Sequence, residues 1–140
     1  MLKILIATHS RFASGIKDTA EFIVGKQKYL HSINCYVDGV DLKKEIEGFF
    51  DNVIDGDIVV LMTDLMVGSV NQQLIKYMNR PKTYLITGFN LPLLLEIVMS
   101  DESMIDESAI EEMINASKEQ IILVNKFSEL NMCIGEDEDD

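Results

Sequence analysis

His9 closes the stretch ILIATHS, Ile4 to Ser10, at the point where an apolar run stops and polar residues begin. A neutral imidazole offers one ring nitrogen as acceptor or nucleophile while the other donates, and a carboxylate on the donor side fixes the tautomer. Asp64, which follows the apolar run DIVVLMT (57–63), is the candidate for that orienting role. Ser10, and Ser69 after Gly68, stand where helices are expected to begin. Free backbone N–H groups at such starts, with the positive end of the helix dipole, favour an anion. Together these residues suit a histidine that carries a phosphoryl group. Transfer from an already activated donor needs positioning and charge stabilisation rather than ionisation of water, so the reading requires no metal and no cofactor.

The elements that must position these residues can be read from periodicity. Leu2 to Ala7 is a continuous apolar run of the kind found in a strand covered on both faces. Ser10 is the expected cap of a helix carrying Phe12, Ile16, Ala20 and Ile23, which Gly25 stops. Tyr29 to Val37 reads as a second strand, and Leu42, Ile46, Phe49 and Phe50 mark one face of a second helix. After the third strand at 57–63, Val70, Leu74, Ile75 and Met78 fit a third helix that Pro81 ends. KTYLITG (82–88) is the fourth strand. NLPLLLEIVMS is a helix capped by Asn90 with Pro92 in its first turn, and 106–116 is a further amphipathic helix. QIILVN (120–125) is expected to add a last, antiparallel edge strand.

Alternation of strands and helices with short joins implies an open α/β, doubly wound parallel sheet. For the strand order 2-1-3-4, ligands bind beyond the carboxyl ends of strands one and three, where the order reverses. His9 and Asp64, far apart in sequence, are therefore expected to face one crevice. His31 shares strand parity with Ile33 and Cys35, which reads as a structural histidine rather than a second reactive group. Arg11 is taken as a solvated helix residue.

With 140 residues, 47% of them apolar, the chain fits one domain with one core. The expected division is a phosphotransfer domain over 1–128 and an acidic, mobile tail over 129–140 ending in GEDEDD. A formal net charge of -12 disfavours nucleic acid and anionic membrane surfaces and favours a protein partner with a basic face. Cys35 and Cys133 are far apart and read as reduced thiols. No apolar segment approaches a membrane span or a signal peptide, so the expected compartment is the cytoplasm.

On ILIATHS, on Asp64 followed by Gly68 and Ser69, and above all on Gly88, Asn90, Leu91 and Pro92 in TGFNLPLLLEIV, the chain resembles the IIA domain of mannose-family sugar phosphotransferase systems over about residues 1–128. That resemblance implies that His9 accepts a phosphoryl group from the histidine-containing phosphocarrier protein and passes it to a IIB component. It also implies that Asp64 is the hydrogen-bonded partner of His9, that Ser69 helps to hold the phosphate, and that the protein is a homodimer whose last strand can exchange. The sequence departs from the family pattern in two places. Ser10 stands where members often have glycine, and Val67, Gly68, Ser69 and Val70 replace a Gly-Gly-Ser-Pro run.

Two other readings share this chemistry: the phosphotransfer subunit of dihydroxyacetone kinase, and a regulatory module switched by histidine phosphorylation. A hydrolase of the histidine-phosphatase type fits poorly, because Thr8 stands where that family has arginine and His31 is badly placed as a second catalytic histidine.

Overall fold

A computed structural model describes residues 1–127. Four parallel strands, β1 (Leu2–His9), β2 (Leu30–Cys35), β3 (Ile58–Thr63) and β4 (Thr83–Thr87), form one sheet in the order β2-β1-β3-β4. This is the doubly wound order expected from the sequence. β1 and β3 lie side by side at its centre, with Leu2 opposite Ile58 and Ala7 opposite Thr63. Strand alternation sends their side chains to two cores. Ile4, Ile6, Val60 and Met62 pack on one face with α1 (Phe12–Val24), α4 (Leu91–Val98) and α5 (Glu107–Lys118). Leu5, Ala7, Val59 and Leu61 pack on the other with α2 (Leu42–Phe50) and α3 (Ser69–Ile75). Burial on both faces explains why these two strands are unbroken apolar runs.

Local chemistry sets the helix boundaries. Asn90 accepts the Leu93 N–H (3.0 Å) at the start of α4 and Asp106 the Ala109 N–H (2.8 Å) at the start of α5. The Asn90 amide also donates to the Ser117 carbonyl at 2.9 Å, joining the two helices. Gly25 closes α1 at φ 91°, its N–H bound to the Glu21 carbonyl.

α3 closes at Ile75, so Met78, expected on the third helix, lies beyond it in turns, and three further expectations differ from what forms. Ser10 does not cap α1: the cap position falls on Arg11, which makes no side-chain capping bond, and the Ser14 N–H is instead met by Asn34 from β2 at 3.1 Å. β2 stops at Cys35, two residues short of Val37, because Tyr36 turns to φ 65°. The edge strand expected at 120–125 does not form among the described residues, where the run gives way to a 3-10 turn at Val124–Phe127. Ile121, Ile122 and Leu123 are left exposed. β-branched, apolar composition signals surface that needs a cover, and among the described residues this run pairs with no strand. The acidic segment expected over 129–140 lies outside the described residues, as does Cys133.

Candidate functional site

The site is assembled by strand register. His9 is the last residue of β1 and Asp64 the first after β3, so the parallel pairing of β1 with β3 delivers both to the same end of the sheet. Asp64 holds His9 twice. Its Oδ2 accepts the His9 backbone N–H at 3.1 Å, and its carboxylate lies 3.2 and 3.1 Å from Nδ1 through Oδ1 and Oδ2. Oδ1 also accepts the Leu65 N–H at 3.0 Å, which fixes the carboxylate against its own loop. A carboxylate can only accept, so Nδ1 carries the ring proton and Nε2 is left with a free lone pair. The His9 side chain is 42% exposed and that of Asp64 16%, so the imidazole faces solvent while the carboxylate that orients it is largely covered.

Behind Asp64, a polar network sets the loop that follows. Thr63 donates to Asn71 Oδ1 at 2.7 Å, its oxygen is 2.8 Å from the Thr87 hydroxyl, and the Asn71 amide donates to the Met66 carbonyl at 2.9 Å. Thr63 and Asn71 are buried, so the network replaces the water these groups lose. It leaves Leu65, Met66 and Val67 exposed beside the site. Gly68 then adopts φ 112°, a conformation that strains any side chain, and brings Ser69 to the first position of α3.

Tyr36 was not singled out by sequence reasoning. β2 pairs with β1 so that Cys35 lies opposite His9, and the next residue must therefore adjoin the histidine. The Tyr36 ring lies 5.3 Å from that of His9, tilted by 37°, and its hydroxyl hydrogen-bonds Ser69 Oγ. Its positive φ, unusual for an aromatic residue, costs on the order of 1–2 kcal/mol. The turn pair Asp38 and Gly39 just beyond it was the available sequence signal.

Ser10 adjoins His9 in the chain but does not offer its N–H to an anion, because that group donates to the Cys35 carbonyl at 3.0 Å. Its φ of 53° accounts for the glycine found there in the family pattern. Arg11 pairs with Asp38 at 3.4 Å in full solvent, a contact of little energetic weight. His31 lies four residues back along the register, roughly 13 Å from His9. It meets Phe49 edge-on at 5.4 Å, and burial followed by the charges of Lys17 and Lys3 lowers its pKa. A hollow of about 510 Å³ beside it is remote from His9, and two of its three lysines are engaged, Lys3 with Asp57 and Lys28 over the Tyr29 ring. Burial first, then the nearby Asp64 charge, pushes the Cys35 thiol up to about 11, which makes it an inert core residue. Among the described residues no cluster of three or more His, Cys, Asp or Glu could hold a metal.

The family model described as PTS system fructose IIA component matches residues 3–118. The chain belongs to that family. This IIA chain is also similar to solved structures. One is a Klebsiella pneumoniae protein ascribed to a phosphoenolpyruvate-dependent sugar phosphotransferase system permease, 30% identical over 90% of this chain and 93% of that one, with a TM-score of 0.79. A second is the IIA protein associated with the fucose utilization operon of Streptococcus pneumoniae, 30% identical over 89% and 94%, TM-score 0.77. The mannose/sorbose specific IIA subunit from Enterococcus faecalis, 17% identical over 86% and 92% with a TM-score of 0.70, shares the fold. The chain is thus a IIA component of the mannose family of sugar phosphotransferase systems. Among its described residues no helix is long and apolar enough to cross a membrane.

Proposed function

We propose that this IIA chain acts in the cytoplasm as a phosphoryl carrier, with His9 Nε2 as the accepting atom. The supporting observation is the carboxylate of Asp64 on Nδ1, which leaves the Nε2 lone pair free on a ring whose side chain is 42% exposed. In the step proposed, the Nε2 lone pair attacks phosphorus of a phosphohistidine on the histidine-containing phosphocarrier protein. The donor N–P bond breaks, and its electron pair returns to the donor ring. No proton has to leave His9. The ring, now substituted at Nε2 and protonated at Nδ1, becomes cationic, and Asp64 is positioned to stabilise that charge as a triad aspartate does an imidazolium. Unit charges ~4 Å apart interact by ~4 kcal/mol at an effective dielectric of ~20, and the exposure of His9 reduces the figure here. The reverse step delivers the group to a IIB component, and the sugar never meets this chain.

Ser69 is assigned to the phosphoryl oxygens through its hydroxyl, with Gly68 supplying the backbone turn that presents it. Ser10 can contribute only its side chain. Incubation with phosphorylated carrier protein should place an acid-labile label on the wild type and none on His9→Ala; equal labelling of both would remove His9 from the role.

We also assign the chain a homodimeric state. Ile121, Ile122 and Leu123 are exposed in succession, and β4 ends the sheet with an unpaired outer edge among the described residues. Such an edge invites a strand from another chain. Sedimentation should give twice the chain mass, and Ile122→Asp should shift it toward the monomer. A wild type that sediments as a monomer at micromolar concentration would contradict this.

A further inference from the structure

Tyr36 is 61% exposed, so apolar burial does not account for its left-handed backbone. An outlier of this kind persists where the surroundings over-determine it, and at a reactive site it points to a role. The neighbouring turn is built to keep it. The Cys35 carbonyl before it is tied to Ser10, Asp38 and Gly39 after it also have positive φ, and the Val40 N–H returns to the Val37 carbonyl at 3.1 Å. Out of line with β2, the side chain spans two components of the site: its ring lies against His9 and its hydroxyl reaches Ser69.

Two hydroxyls in contact share one hydrogen between them and keep the other free. A phenol is the stronger acid of the pair, so the favoured arrangement has Tyr36 donating to the Ser69 oxygen, which turns the Ser69 hydrogen outward. Donation into an oxygen also polarises its own O–H, strengthening the bond that this O–H makes to an anion. We infer that Tyr36 is a positioning residue for phosphoryl transfer: its hydroxyl aims the Ser69 hydrogen at the oxygens of a phosphoryl group on His9, and its ring restricts rotation of the imidazole. The inference rests on His9 as the carrier and deepens that reading. It gives the β2–α2 connection a part in the chemistry that the family motif around His9, Asp64 and Ser69 does not contain.

Tyr36→Phe removes the hydroxyl and keeps the ring, so the two contributions separate. The rate of label transfer from phosphorylated carrier protein at saturation should fall about 5-fold in Tyr36→Phe, the scale of the one neutral hydrogen bond removed, with the carrier concentration at half-maximal rate unchanged. Ser69→Ala should lose as much or more. The double variant should lose no more than Ser69→Ala alone, because the phenol acts through the serine; a merely structural tyrosine would give additive losses. Phosphorylated Tyr36→Phe should also hydrolyse at a rate altered in the same sense as phosphorylated Ser69→Ala. A rise in the half-saturating carrier concentration with the saturated rate unchanged would make Tyr36 a docking residue and overturn the inference. Wild-type rates in Tyr36→Phe, or additive losses in the double variant, would overturn it while leaving His9 as carrier. Absence of label on the wild type would sink both.

Discussion

At the scale of single residues, the arrangement of one carboxylate against one imidazole decides what the histidine can do. Asp64 occupies the Nδ1 side of the ring and, in the proposed carrier step, would supply the negative charge that a cationic phosphohistidine ring needs. Asp64→Asn separates these roles. An amide that turns its NH2 toward Nδ1 would move the ring proton to Nε2, where it blocks attack, and no orientation of the amide restores the charge. The expected result is a transfer rate lower by roughly 100-fold or more, with the urea midpoint of unfolding close to wild type. A rate within a factor of two would mean that the carboxylate is only a brace for the His9 and Leu65 N–H groups.

At the scale of elements, the turn between β1 and α1 carries strain that a substitution can relieve. Ser10 holds φ 53° without a capping bond, so Ser10→Gly should stabilise the fold by roughly 0.5–1 kcal/mol, the left-handed penalty less the entropy of the added glycine. A higher urea midpoint would register it; an unchanged or lower one would show that the turn is not strained. Most strands and helices were legible in the sequence because each leaves a local mark: the unbroken IVVLM of β3, buried on both faces, and the caps Asn90 and Asp106 at the helix starts. His9 and Asp64 were legible because strand order alone places them together. Tyr36 was not, since an aromatic residue after Asn34 and Cys35 continues a strand pattern, and only the register of β2 on β1 reveals its neighbour. The cap of α1 was hidden for a similar reason: Asn34, which serves Ser14, is twenty residues away in sequence. The 120–125 run shows another limit, because composition records apolar surface and not what will cover it.

At the scale of the whole molecule, the end of the sheet opposite His9 is fixed by one charge cluster around the buried Asp57. Asp57 pairs with Lys3 at 2.9 Å and with the Met1 ammonium at 3.0 Å, and it accepts the Ile54 N–H at 2.9 Å. Burial alone would push its carboxyl up, but the Ile54 N–H, Lys3 and the terminal ammonium outweigh that and hold it well below the usual range. A depressed folded value means stability that is complete above the unfolded aspartate value of ~3.9 and is lost as the pH falls toward the folded one. The urea midpoint should therefore drop on acidification below about pH 4, and the drop should be shallower in Asp57→Asn. Asp57→Ala, which strands Lys3, should cost about 3–5 kcal/mol at neutral pH. Equal acid sensitivity in Asp57→Asn and wild type would show that other carboxylates govern it. The two ends of the sheet are thus built oppositely, one tied by ion pairs and one left open. Leu65, Met66 and Val67 stand uncovered beside His9, and no part of the described chain folds over them. A cargo resting on Nε2 between hand-overs would therefore meet bulk water, protected only by the slowness of its own bond cleavage. Shelter would come from a visitor pressing on those three side chains, so the driest moment in the cycle would coincide with delivery.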